Sequence, residues 1–186
     1  METLRRTFEI AVKWVYFPLH PTTPPEGLSL DRLFAGRGVD LEAMYVRMKR
    51  LMDAEGLPYG RRTHTYNSRL AQELAKWADT LPGFEQIHDA LYRAYFVDGR
   101  NIGDREVLLA LAKSVGLSME AARRTLDDRL FKNAVDADWA KAQSYGVTGV
   151  PTFIANGRGV VGAQPYEVLE QLVDAVGARR RSENSM

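Results

Sequence analysis

The hydrophobic pattern changes period once, and that change limits what the chain can build. From about Asp40 to Lys141 apolar residues recur at helical spacing, and after Gly146 they recur in twos. "DLEAMYVRMKRLMDAEG" puts Leu41, Met44, Tyr45, Met48 and Leu51 or Met52 on one stripe, with Asp40 as N-cap and Gly56 as stop. "NSRLAQELAKWADTLPG" repeats the pattern with Asn67 near the cap, and "FEQIHDALYRAYFVDG" predicts a third helix ending at Gly99. Asp104 caps the next helix and Ser118 the one after it. "NAVDADWAKAQSYG" predicts a last helix of the block, stopped by Gly146. A hairpin follows, with strands Thr152–Ala155 and Gly159–Gly162 around an Asn156-Gly157 turn. "QPYEVLEQLVDAVGA" closes as an amphipathic helix with Pro165 in its first turn.

Ahead of the helical block, "FEIAVKWVYF" (Phe8 to Phe17) predicts a strand. Its β-branched and aromatic side chains fall on both parities, as in a strand covered on both faces. The prolines between Pro18 and Gly27 then impose an extended loop. The helices share no fixed period, so no internal repeat is expected.

With 186 residues, 45% of them hydrophobic, the chain suits one domain or a domain with an insertion. A net charge of +1 offers no single-sign field for nucleic acid or an anionic membrane. Arg179-Arg180-Arg181 before "SENSM" reads as a solvated, frayed tail. No apolar run approaches the ~20 residues of a membrane span, and "METLRRTFEI" has no long apolar stretch of the signal-peptide kind. The expected compartment is the cytoplasm, with neither nucleic acid nor membrane as partner. The chain has no cysteine. It therefore holds no disulfide, no thiolate metal site and no cysteine nucleophile of its own.

"GVTGVPTF" (Gly146 to Phe153) sets a proline at the mouth of a strand. By itself this fits an ordinary trans proline opening a strand. In context it carries more. "YFPLHPTTPPEG", "THTYNSRLAQELAKWA", "LYRAYFVDGRNIGD" and "YGVTGVPTFIANGRGVVGAQPYEVLEQL" occur in the order seen in the DsbA-like branch of the thioredoxin fold, and the chain resembles its FrnE-type group. The resemblance implies an α/β, thioredoxin-like fold with a large helical insertion. Residues 1–39 and 146–186 would form the thioredoxin-like part, and 40–145 the insertion. It further implies a cis Val150–Pro151 bond in a substrate loop of Thr148, Gly149, Val150 and Pro151. There Val150 would offer its N–H and C=O to an extended peptide or a small thiol or disulfide.

That family pattern starts with a strand, a Cys-x-x-Cys turn and a helix, ahead of the strand matching Phe8–Phe17. Here only Met1 to Thr7 precede it, and "METLRR" matches the tail of the first helix. The expectation is an N-terminally incomplete fold with no catalytic residue and no cofactor. Its two unpaired strand edges would be open to each other, to a partner or to self-association. Two alternatives remain. One is a glutathione-linked enzyme like the 2-hydroxychromene-2-carboxylate isomerases, with His64, Asn67 and Gln164 lining the ligand groove. The other is a non-catalytic binding protein of the same fold. Asn67 is at least equally readable as a plain helix cap, and Gln164 reads better as a structural helix start than as a ligand group.

His20, His64 and His88 lack metal-ligand spacing, so no metal site is expected. Asp127-Asp128 and Asp136/Asp138 lie among basic residues and read as an ion-paired, solvated face. Trp14, Trp77, Trp139, Tyr92, Tyr95 and Phe96 read as core, some of them candidates for the groove over the proline loop.

Thiol–disulfide exchange needs a thiolate to attack a disulfide sulfur. The chain should therefore show no turnover in an insulin-reduction or dithiol-oxidation assay, and a rate above the protein-free control would refute this.

Overall fold

The computed structural model describes residues 1–182. In chain order come α1 (Glu2–Thr7), β1 (Leu28–Ser29), α2 (Leu30–Leu33), α3 (Leu41–Ala54), β2 (His64–Thr65), α4 (Arg69–Ala78) and α5 (Gln86–Tyr92). Then follow α6 (Arg105–Ser114), α7 (Met119–Asp127), α8 (Lys132–Ser144), β3 (Thr152–Ala155), β4 (Arg158–Val161) and α9 (Tyr166–Asp174). A π-helical turn, Arg93–Val97, continues α5. β1 pairs antiparallel with β2, and β3 with β4 from Thr152↔Val161 to Ala155↔Arg158. No helix among the described residues is long and apolar enough to cross a membrane.

The chain packs as two compact units. One is His20–Asp136; the other combines Met1–Leu19 with the chain from Ala137 onward. The packing thus does not divide at 39/40 and 145/146. The proline-rich loop belongs with the helices because side-chain amides hold its carbonyls. Asn67 Nδ2 donates to Pro21 and Thr23 O, each at 3.1 Å, and Asn101 Nδ2 donates to Pro25 O at 2.9 Å.

In the helical unit the caps act where the sequence put them. Asp40 accepts from the Ala43 N–H, Asp104 from Glu106 and Val107, and Ser118 from Ala121. α4 is buried along most of its length, with Ala71, Leu74, Ala75, Trp77 and Ala78 among its inward residues. Ile87, Leu108, Leu109, Ala112, Ala122 and Leu126 complete the core. Such a helix has no polar face to spare, yet Glu73 sits on it with a fully buried side chain. Arg69 Nε donates to one carboxylate oxygen at 2.6 Å, and Arg129 grips both oxygens at 2.7 Å. Arg69 also bonds Asp136 at 2.7 Å and the Lys132 carbonyl at 2.8 Å. Burial pushes the Glu73 carboxyl up, but the Arg129 and Arg69 hydrogen bonds and charges outweigh it and hold the group below the usual carboxylate range.

In the other unit, Leu4 and Phe8 pack on Leu169 and Val173 of α9, with Ile10, Phe153, Val160 and Tyr166 around them. α1 agrees with the helical reading of "METLRR". The expected strand Phe8–Phe17 does not form. Phe8 is bridged to Arg180, and residues 9–17 are in no strand. Strand propensity in a sequence becomes a strand only where a neighbour takes the backbone groups. The segment is held at its far end by Asp138, whose Oδ2 accepts the Tyr16 N–H at 3.3 Å. Asp138 is therefore buried rather than part of a solvated face, whereas Asp127 and Asp136 are ion-paired and exposed or half-exposed, as read. Trp14, expected in the core, is 63% exposed, while Trp77 is buried and Trp139 half-buried.

The arginine run is not a frayed tail. Glu9 N–H donates to Arg179 O at 2.8 Å, and Arg181 N–H to Thr7 O at 2.9 Å. Arg180 covers the Phe8 ring at 4.6 Å and pairs with Glu170 at 2.9 Å and Asp174 at 2.7 Å. The expectation for the rest of "SENSM" beyond Ser182 lies outside the described residues.

Removing the Glu73 charge leaves Arg129, which is half-exposed, without a carboxylate and Arg69 with Asp136 alone. Glu73→Gln should lower the unfolding free energy by about 1.5–3 kcal/mol at pH 7, read as a fall in urea midpoint. A carboxylate with a depressed native pKa stabilises above its unfolded pKa. That contribution fades as pH falls through the native value. The two midpoints should therefore converge in acid, and a gap that stayed constant with pH would contradict the assignment.

Candidate functional site

The proline loop is framed by the end of α8 and the start of β3. Gly146 takes φ 67° and closes α8, with its N–H on Gln143 O at 2.9 Å and the Val147 N–H on Ala142 O at 3.0 Å. This pair of bonds satisfies the last carbonyls of the helix and turns the chain sharply outward. On the other side, β3 and β4 are joined through Asn156 (φ 43°) and Gly157 (φ 79°), the two positive angles that a tight hairpin turn requires.

Between these supports the loop is pinned from within. The Thr152 hydroxyl donates to Gly149 O at 2.7 Å. The Gly162 N–H donates to Pro151 O at 2.8 Å, extending the β3–β4 ladder by one bond. The Val150–Pro151 peptide bond is cis. Val150 stands 53% exposed, and Thr148 and Pro151 are exposed beside it. Among the described residues neither the N–H nor the carbonyl of Val150 has a hydrogen-bond partner. An extended chain laid along Val150 would find one donor and one acceptor, between the Gly149 and Pro151 carbonyls, which are already paired.

The remaining sequence candidates fall in different units, and each already has a partner. His64 and Asn67 belong to the helical unit, and Gln164 to the unit carrying the proline loop. His64 lies on β2, its Nδ1 2.9 Å from Thr63 Oγ1 and its ring stacked on Tyr66 at 6.0 Å. Asn67 spends its amide hydrogens on Pro21 and Thr23 and accepts the Arg69 N–H at 2.9 Å. It serves the start of α4 from one residue before the cap, Ser68. Gln164 Nε2 donates to Val161 O at 2.6 Å, bracing the turn into α9, whose cap position is Pro165. His88 pairs with Asp79 at 2.7 Å, and no three His, Cys, Asp or Glu residues converge on a metal position among the described residues. Thr152 and Gly162, which fix the loop, were not singled out from sequence. The only local signal was a hydroxyl residue directly after the proline.

Comparisons with known proteins bear on the fold and the family. A family model for the DSBA-like thioredoxin domain matches residues 1–174. The uncharacterized Bacillus subtilis protein YwbO is 23% identical over 184 residues, covering 89% of this chain and 82% of YwbO. The crystal structure of the probable DsbA oxidoreductase SCO1869 from Streptomyces coelicolor is 33% identical, with TM-score 0.79, covering 91% of this chain and 76% of that one. A 2-hydroxychromene-2-carboxylate isomerase shares the fold at 21% identity, with TM-score 0.60, covering 74% of this chain and 66% of that one.

Hydrogen exchange followed by NMR checks the loop. The Val150 amide should exchange without protection, and the Gly162 amide should be protected. Thr152→Val removes the clamp on Gly149 and should cost about 1 kcal/mol in urea unfolding. A protected Val150 amide would mean that its N–H is already engaged.

Proposed function

The chain belongs to the DSBA-like thioredoxin domain family, and we propose that it is the substrate-holding part of a FrnE-type thiol–disulfide oxidoreductase. The observation that carries this reading is Val150, exposed with both backbone groups unpaired, between the Gly149 and Pro151 carbonyls, which are both taken. The substrate is an extended polypeptide or a small molecule bearing a disulfide or dithiol, docked along Val150 as an added strand. The redox step needs a thiolate that these 186 residues do not contain. In that step a thiolate attacks one substrate sulfur, a mixed disulfide forms and the second sulfur leaves as thiolate. We assign the thiolate to a Cys-x-x-Cys segment outside this sequence. Two findings support this: residues 9–17 read as a strand yet form none, and the match covers 76% of the SCO1869 chain.

The isomerase reading gains no support from the side chains it would use, because Asn67 and Gln164 already spend amide hydrogens on backbone carbonyls.

The coding sequence immediately upstream of Met1 tests the proposal. It should encode, in frame, a short apolar strand followed by Cys-x-x-Cys, and the longer product should oxidise dithiols where the 186-residue chain does not. An upstream serine at that turn, with glutathione-dependent isomerisation by the longer product, would overturn the reading in favour of the isomerase. No in-frame segment at all would leave a binding protein of this fold.

A further inference from the structure

A second site lies wholly within the helical unit. A cavity of about 140 Å³ opens among Leu41, Met44 and Tyr45 of α3, Tyr59, Arg62, and the β1–α2 corner at Leu30 and Asp31. It has room for roughly five water molecules' worth of volume. Two adjacent arginines border it and are treated differently. Arg61 is bound in both arms by Glu42, the Nη2–Oε1 bond being 2.8 Å, and lies 4.2 Å over the Tyr45 ring. Among the described residues no carboxylate pairs with Arg62. Its Nη1 donates to the Tyr95 hydroxyl, its Nε is buried with no acceptor, and its guanidinium lies 5.0 Å from the Tyr95 ring and 5.4 Å from Phe96.

The aromatic bed under Arg62 is built by the π-helical turn. The extra residue in that turn puts Tyr95 and Phe96 side by side, their rings edge to face at 4.6 Å. From Phe96 the rings continue to Tyr59 at 6.2 Å and Tyr45 at 6.0 Å. The segment carrying both arginines is drawn in by the Gly60 N–H on Phe96 O at 2.9 Å. A Cβ at Gly60 would stand 2.0 Å from the Val97 carbonyl oxygen, so only glycine permits the approach. Arginine over aromatic faces is well placed, but ring quadrupoles do not neutralise a full charge. The field of that charge is felt nearby: burial, then the Arg62 and Arg37 charges, holds His20 below the ordinary histidine range.

We propose that this cavity binds a small monocarboxylate, whose anion neutralises Arg62 and whose planar or apolar body lies against Tyr45 and Tyr59. The planar guanidinium suits a carboxylate or a phosphate alike. Asp31 on the same cavity wall decides between them, because its charge opposes a dianion more than a monoanion.

Titration of the folded chain with benzoate, benzamide and inorganic phosphate, followed by NMR, tests this. Benzoate should bind with shifts centred on Tyr45, Tyr59 and Arg62. Benzamide, the neutral isostere, and phosphate should each bind at least tenfold more weakly. Arg62→Met should weaken benzoate at least tenfold, and Arg62→Lys should retain part of the affinity. If Arg62→Met does not fold, the benzoate–benzamide ratio on the unaltered chain decides. Equal binding of benzoate and benzamide, tighter binding of phosphate, unchanged affinity in folded Arg62→Met, or no binding of benzoate would each overturn the proposal.

Discussion

A buried carboxylate organises the helical unit. Glu73 holds Arg69 and Arg129 as a carboxylate, and their hydrogen bonds and charges together favour its ionised form against the burial. This arrangement fixes more than one helix. Arg129 reaches Glu73 from a residue at φ 51°, an angle that a non-glycine residue adopts only when its surroundings insist. Arg69 ties the same point to the first turn of α8 through Asp136 and Lys132 O. One residue before the α4 cap, Asn67 holds the proline-rich loop. A buried ion pair of this kind adds less to stability than to geometry, since few other arrangements satisfy all three charges.

Much of the fold was legible because local chemistry agreed with the final packing. Asp40, Asp104 and Ser118 cap helices in any context that buries the following apolar stripe, and Asn156-Gly157 makes its turn from its own dihedral preferences. The errors share a cause. "FEIAVKWVYF" has the composition of a strand, but strandedness belongs to a pair of segments, and its own letters do not supply the second. The arginine run looked like a tail because nothing in its own letters says that Thr7, Phe8 and Glu9 will lie beside it. Trp14 was assigned to the core on residue type alone.

The candidate sites divide the same way. The loop at Pro151 could be located through its family resemblance and the glycine and hairpin signals around it. Its internal pins, Thr152 to Gly149 and Gly162 to Pro151, emerge only once the hairpin register is known. Arg61 and Arg62 are identical letters in sequence. One faces Glu42 from α3 and the other faces rings from a π-helical turn, and that turn is one inserted residue that helical periodicity does not reveal.

The bridge between Phe8 and Arg180 also sets an order of events on the ribosome. His20–Asp136 is contiguous and can pack as soon as it has emerged. The Phe8 carbonyl waits for Arg181, 173 residues later, which at cellular elongation speeds is roughly 10–30 s. Throughout that interval the aromatic ring at position 8 has neither α9 beneath it nor a guanidinium above it. Residues made ahead of the whole helical unit are thus covered after it.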